Sequence, residues 1–162
     1  MKLSSLMPYT ALTAASVALD QWIKQLVEAH LPMHEAVEML PFLALYRTYN
    51  TGVAFSMFAW IGDAGLVFLS LCVIVFVLYL AWRTTAAHLL ARAGFALIVG
   101  GAIGNIIDRV LFGHVIDYVL FHTPAWSFAV FNFADACITI GALFVIADEF
   151  FGFGRREEHP RP

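Results

Sequence analysis

Four stretches of this chain are apolar for long enough to matter, and short polar breaks separate them. The clearest is Ala64 to Trp82, which contains no charged residue. About 20 predominantly apolar residues cross the roughly 30 Å hydrocarbon layer of a bilayer, so this stretch predicts a membrane span. A second stretch covers about residues 88–112, with Arg92 near one end and Asp108-Arg109 near the other. A third runs from Phe128 to about residue 149 and carries Asp135 well inside it. The N-terminal stretch, about residues 7–28, holds Asp20 and Lys24 in its later half. The pattern predicts four spans, at about 7–28, 62–82, 88–112 and 128–149. Lys2, an apolar run and Ala14-Ala15 also suit a cleavable leader, but the apolar character continues into Asp20-Gln21-Trp22-Ile23-Lys24, where a leader ends.

Between the first two spans, Leu40 to Phe58 is not polar filler. Tyr46, Thr48, Tyr49, Val53 and Phe55 favour strands, and Asn50-Thr51-Gly52 breaks them as a turn does. The pattern predicts a β-element over about 40–58, lying at the membrane surface. Trp60, Phe58, Tyr46 and Tyr49 suit an interfacial belt. Residues 1–152 read as one four-helix unit, followed by a polar, mobile tail over 153–162.

Composition agrees. Of 162 residues, 61% are hydrophobic and 13% charged, with a mean hydropathy of +0.80. Soluble domains carry about 25% charged residues, so a soluble enzyme, a nucleic-acid binder and a disordered chain are excluded. Lys2, Arg83, Arg92, Arg155, Arg156 and Arg161 fall on one side of the four-span arrangement, six of the nine basic residues. The positive-inside bias then places both termini in the cytoplasm and the loops 30–61 and 113–127 outside. Cys72 and Cys137 fall within spans and read as small apolar packing residues.

Ionisable groups inside apolar spans cost about 2.5–3.5 kcal/mol each at a helix centre and mark function. Asp20 and Lys24 are four apart, on one helix face, and can pair, with Lys24 also able to reach toward the head groups. In Gly100-Gly101-Ala102-Ile103-Gly104-Asn105-Ile106-Ile107-Asp108-Arg109, glycines that admit a close helix are followed within one turn by Asn105, Asp108 and Arg109. Asp117 stands among Val115, Ile116, Tyr118 and Val119, at the membrane boundary. Asn132 and Asp135 are three apart on one face, with Asp135 roughly 10 Å along the last span from its outer boundary. Asp117 and Asp135 therefore share the outer side. Two close carboxylates that cannot both ionise suit aspartic hydrolysis of an amide bond, and equally suit proton carriage in a transporter. A Ser–Lys pair using Ser56 or Ser127 lacks supporting spacing, and His30, His34, His114 and His122 lack that of a zinc site. No metal and no cofactor is expected.

Four blocks resemble the lipoprotein signal peptidase family, the bacterial type II signal peptidases. They are Asp20-Gln21-Trp22-Ile23-Lys24; Asn50-Thr51-Gly52-Val53-Ala54-Phe55-Ser56; Gly104-Asn105-Ile106-Ile107-Asp108-Arg109 running on to Asp117; and Phe131-Asn132-Phe133-Ala134-Asp135. They occur in family order over nearly the whole chain; Val53 stands where the family more often has alanine. The resemblance implies an all-α membrane protein of four transmembrane helices with a small extracytoplasmic β-cradle. It implies an aspartic endopeptidase of the bacterial inner membrane, acting near the extracytoplasmic face on prolipoproteins. Cleavage falls just before a diacylglyceryl-modified lipobox cysteine. By motif match it makes Asp117 and Asp135 catalytic, and Asn50, Gly52, Asn105, Asp108, Arg109, Asn132, Asp20 and Lys24 supporting residues. Membrane phospholipids and globomycin-type inhibitors are the further expected partners; nucleic acid is not.

Overall fold

A computed structural model describes residues 6–52 and 62–152. The expectations for Lys2, for the later half of the β-element with Val53, Phe55, Ser56, Phe58 and Trp60, and for the tail 153–162 lie outside the described residues. Four helices and a small sheet follow in the order α1 (Met7–His30), β1 (Ala36–Leu40), β2 (Leu43–Asn50), α2 (Gly62–Arg83), α3 (Leu89–Phe112), β3 (Val115–Thr123), β4 (Trp126–Ser127) and α4 (Phe133–Phe151).

Among the described residues, α2 and α3 are long and apolar enough to cross a bilayer on composition alone. In α2, Phe68, Val75, Phe76 and Trp82 are 60–74% exposed, a surface that water would not stabilise and lipid would. Asp20 and Lys24 interrupt the apolar run of α1, as Asp135, Asp148 and Glu149 do that of α4. Cys72 faces outward on α2 rather than packing inside; Cys137 is buried.

α3 is the centre of the fold and packs against each of the other helices. Glycine makes two of these contacts close. A Cβ on Gly101 would lie 2.3 Å from the Ala134 carbonyl of α4, and one on Gly104 would lie 2.5 Å from the Asp20 carboxylate of α1. On the α1 side, the Thr13 hydroxyl donates to the Ala96 carbonyl at 3.1 Å. Backbones meeting at such distances gain dispersion contacts that side chains would prevent.

The sheet is antiparallel in the order β1-β2-β3-β4. Of the β-element expected over about 40–58, β2 is present, but its hairpin partner is the earlier β1 and the turn between them falls at Pro41-Phe42; the stretch read as an outer loop supplies the longest strand, β3. Thr48 of β2 pairs with Asp117 of β3 after a register shift that begins at Leu45. Asn50 is two residues beyond Thr48, so it shares a face with Asp117 and is its diagonal neighbour. Gly113, with φ 72°, closes α3 in the left-handed conformation, its N–H bonding back to the Arg109 carbonyl at 3.1 Å. The chain then enters β3 at once.

The start of α4 corrects the sequence expectation. The helix opens at Phe133 and not at Phe128, because Asn132 caps it. The preceding residues extend the sheet: Phe131 exchanges backbone hydrogen bonds with Val119 at 2.8 and 3.0 Å, and the Phe128 N–H reaches the Phe121 carbonyl at 2.8 Å. Asp135 therefore lies in the first turn of α4, beside the sheet, rather than 10 Å into a helix. Asn132 and Asp135 meet as a cap and its third residue, not as two positions on one helical face.

The α3–α4 contact yields a test. Gly101→Ala should lower unfolding stability in detergent by about 1–3 kcal/mol through overpacking, whereas Val75→Ala on the exposed face of α2 should stay within about 0.5 kcal/mol of the parent. Equal thermal melts for Gly101→Ala and the parent would contradict the close contact.

Candidate functional site

At the sheet end of the helices, the elements meet over a set of buried polar groups. Its base is Lys24. The ammonium lies 2.8 Å from Asp20 Oδ2, 2.7 Å from Asp108 Oδ2 and 3.1 Å from Asn105 Oδ1. Only 2% of Lys24 is exposed, so it does not reach toward the head groups as the sequence allowed. The expected i,i+4 pair with Asp20 exists, with Asp108 as a second counter-ion. Gln21 donates to Asp108 Oδ1 at 2.8 Å and to the Gly104 carbonyl at 3.2 Å. The Ile116 N–H of β3 reaches Asp108 Oδ2 at 3.3 Å. Three donors thus converge on Asp108, and α1, α3 and β3 are tied together through it.

The N-terminus of α4 is satisfied group by group. Helix starts leave N–H donors without intrahelical partners. Here the Phe133 N–H donates to the Tyr118 hydroxyl at 3.1 Å, the Ala134 N–H to Asp20 Oδ1 at 3.0 Å and the Asp135 N–H to Asn132 Oδ1 at 2.9 Å. The Asp135 carboxylate returns a bond to the Asn132 N–H at 3.3 Å, completing a capping box. Burial pushes the Tyr118 phenol above its ordinary pKa, so it stays neutral and can serve as acceptor.

Asp117 and Asp135 sit on top of this base, and asparagine amides hold both. Asp117 Oδ2 accepts from Asn50 Nδ2 at 2.9 Å and Oδ1 from Asn132 Nδ2 at 2.7 Å. Asp135 Oδ1 accepts from Asn105 Nδ2 at 2.8 Å. Each of these amides has its orientation set by a donor at its oxygen. Gly52 N–H donates to Asn50 Oδ1 at 2.9 Å, Asp135 N–H to Asn132 Oδ1, and Lys24 to Asn105 Oδ1. An amide has one acceptor end and one donor end, so these contacts turn all three NH₂ groups toward the carboxylates.

The two carboxylates differ in setting. Asp117 is 1% exposed and Asp135 half-buried. Burial raises the Asp117 pKa from 3.8 to about 7, and the negative charge of Asp135 adds to the rise; the bonds from Asn50 and Asn132 act against it. At neutral pH Asp117 therefore holds a proton for a large part of the time.

Arg109 is buried beside the pair. Its Nη2 donates to the Gly52 carbonyl at 2.6 Å and its Nη1 to the Asn105 carbonyl at 3.4 Å; Nε is buried with no hydrogen-bond partner among the described residues. Asp20, Lys24, Asn50, Gly52, Asn105, Asp108, Arg109, Asp117, Asn132 and Asp135 thus fall in one connected cluster. Sequence reasoning missed the roles of Gln21 and Tyr118. Both adjoin a marked aspartate, and that adjacency was the signal available.

The cluster generates a stability test. Lys24→Met leaves Asp20 and Asp108 buried without their cation, and breaking a buried pair in this way costs about 3–5 kcal/mol. The variant should unfold at clearly lower temperature or fail to accumulate. A melting temperature unchanged from the parent would remove Lys24 from its structural role.

Comparison with known proteins bears on what such a cluster does. A family profile for Signal peptidase (SPase) II matches residues 12–151. A protein of Mesorhizobium japonicum described as lipoprotein signal peptidase is 59% identical over 155 residues, covering 96% of this chain and 92% of that relative. One of Brucella ovis with the same description is 58% identical over 140 residues, covering 86% and 88%. Two solved structures described as bacterial membrane enzymes share the fold at 24% identity. One has a TM-score of 0.80 and covers 96% of each chain; the other has a TM-score of 0.76 and covers 90% of this chain and 94% of its own. On these matches, the chain belongs to the signal peptidase II family, the membrane proteases that cleave the signal peptides of lipoproteins.

Proposed function

We propose that Asp117 and Asp135 are the catalytic dyad and that they share one proton. The observation that carries this is the pair of carboxylates held by oriented asparagine amides, with the Asp117 pKa near 7 beside a more exposed Asp135. Asp135, as carboxylate, takes a proton from water while the water oxygen attacks the scissile carbonyl carbon. Protonated Asp117 donates to the carbonyl oxygen. The tetrahedral intermediate collapses as its C–N bond breaks; Asp135 passes its proton to the leaving nitrogen and Asp117 recovers one from the collapsing hydroxyl. Asn50, Asn105 and Asn132 orient the dyad, while Asp20, Lys24 and Asp108 support it from below. The Arg109 bond to Gly52 holds the turn that presents Asn50, so Arg109 supports the dyad through that turn.

The substrate in this reading is a prolipoprotein, cut just before its diacylglyceryl-modified cysteine, and globomycin-type inhibitors occupy the same cleft. All four helices cross the inner membrane. The charges of the site support this: Asp20 and Lys24 lie late in α1, Asp108 and Arg109 late in α3 and Asp135 early in α4, so α1 and α3 run toward the site and α4 away from it. Asp63, in the first turn of α2, adjoins Gly113 at the same end, so α2 also runs away. Alternating directions bring the start of α1 and the end of α4 to the side opposite the sheet. The Lys and Arg distribution makes that side the cytoplasm, and the dyad sits near the extracytoplasmic face.

Two measurements test the dyad on a diacylglyceryl-modified lipobox peptide. Asp117→Asn and Asp135→Asn should each lower processing by about 10²–10⁴-fold at unchanged protein level and melting temperature; normal turnover by either variant rejects the assignment. Because Asp117 must be protonated to donate, activity should fall as pH rises through about 7. Asn50→Ala removes a bond that favours ionised Asp117, so this limb should move to higher pH. A limb that stays in place, or moves down, would detach Asn50 and Asp117 from the proton transfer.

A further inference from the structure

Among the described residues, Asn132 is the one that bonds to both Asp117 and Asp135. Its Nδ2 donates to Asp117 Oδ1, its backbone N–H donates to Asp135 Oδ2, and its Oδ1 accepts the Asp135 N–H. It stands at a joint in the chain. With φ −128° and ψ −177° it is extended, and helical geometry begins only after it. Its two amide hydrogens are shared among three acceptors: Asp117 Oδ1 at 2.7 Å, Asn105 Oδ1 at 3.2 Å and the Ile116 carbonyl at 3.3 Å. A small movement of the backbone would redistribute them, so the neighbours that fix this backbone matter.

Both neighbours are held by one residue of β3. The Tyr118 N–H donates to the Phe131 carbonyl at 3.1 Å, and the Tyr118 hydroxyl accepts the Phe133 N–H at 3.1 Å. Val119 bonds to Phe131 alone. Any residue but proline could supply the backbone part of this grip; the part at Phe133 needs the phenol. The Tyr118 ring is buried against Val27 of α1 and Ile116 of β3, so the hydroxyl is placed from outside α4. The chemistry of the group also suits the site. Asp20 already accepts the next N–H, that of Ala134. A second carboxylate at Phe133 would add negative charge beside Asp117 and Asp135, whereas a neutral phenol accepts a hydrogen bond without adding charge.

We infer that Tyr118 is a positioning residue for the reaction: its hydroxyl clamps the start of α4 and, through Asn132, sets how Asp117 and Asp135 stand toward each other. The role rests on the dyad proposed above and involves no contact with substrate.

Tyr118→Phe removes the acceptor and keeps the ring. With the full chain in detergent and the diacylglyceryl-modified lipobox peptide, it should lower kcat about tenfold and leave KM within about twofold of the parent, because geometry is lost and substrate binding is not. The Asn132 bond favours ionised Asp117, so loosening it should move the fall in activity near neutral pH to higher pH. The charges that face Asp117, those of Asp135 on α4, Lys24 on α1 and Arg109 on α3, are the same in the variant. Val99→Ala, in the packed core of α2 and α3, gives the signature of a purely structural loss: a lower melting temperature with kcat and pH profile as in the parent. Parental kcat and pH profile in Tyr118→Phe, whatever its melting temperature, would overturn the role. Should that variant fail to accumulate, Phe133→Pro deletes the same bond from the donor side, at the first helical position, where proline is tolerated. It should reproduce both changes, and parental values there would overturn the role equally. Asp117→Asn separates this role from the dyad. Normal turnover by Asp117→Asn rejects the dyad and the role together; an inactive Asp117→Asn beside a parental Tyr118→Phe rejects the role of Tyr118 alone.

Discussion

A buried ammonium held between two carboxylates governs the architecture of the site. Away from water every polar group must be satisfied from within the protein, and Lys24 is where that demand is met for several elements together. Through Asp20 it reaches the first turn of α4, through Asp108 the start of β3, and through Asn105 the carboxylate of Asp135. The arrangement carries two carboxylates on one ammonium, with Gln21 and backbone N–H groups supplying further donors. Charge alone would not make this stable. Hydrogen bonds to the remaining lone pairs do so, as buried ion pairs generally require.

Above this base, selectivity for orientation comes from amides. An aspartate in place of Asn105 would present only acceptors to Lys24 and Asp135 alike, and would repel the latter. Asparagine faces a cation or N–H with its oxygen and a carboxylate with its nitrogen, so it passes orientation from a rigid base to Asp117 and Asp135 without adding charge. Three such side chains drawn from β2, α3 and the cap of α4 give the pair its fixed geometry. The cost of bringing four carboxylates into one small volume is offset by Lys24, by Arg109 and by the raised pKa of Asp117, which lets it take up a proton near neutral pH.

Much of this was legible in residue order because the bilayer makes polar residues conspicuous. Asp20, Lys24, Asn105, Asp108, Arg109, Asn132 and Asp135 stand out against apolar neighbours, and motif order joined them to Asn50, Gly52 and Asp117. What hydropathy could not express was local competition. Phe128 to Phe131 is apolar enough to continue a helix, yet Asn132 caps at its own position and sends those residues into the sheet. Val115 to Phe121 is apolar in the same way and reads as loop or boundary until β2 is seen beside it. The partnership of Lys24 with Asp108 spans the whole of α2 and the first outer loop, and nothing in either neighbourhood announces it.

The left-handed closure at Gly113 has a consequence for how this protein can vary. Only Gly113 itself and His114 stand between the end of α3 and the start of β3, so Asp108 in the base and Asp117 above it are joined by a link of fixed length. Side chains on a strand alternate faces, and one added residue here would turn Asp117 away from Asn50 and Asn132. The turn at Pro41-Phe42, at the other end of β2, has no such duty. Length variation in relatives that keep the activity should therefore gather at that hairpin, and the segment from Asp108 to Asp117 should behave as a ruler.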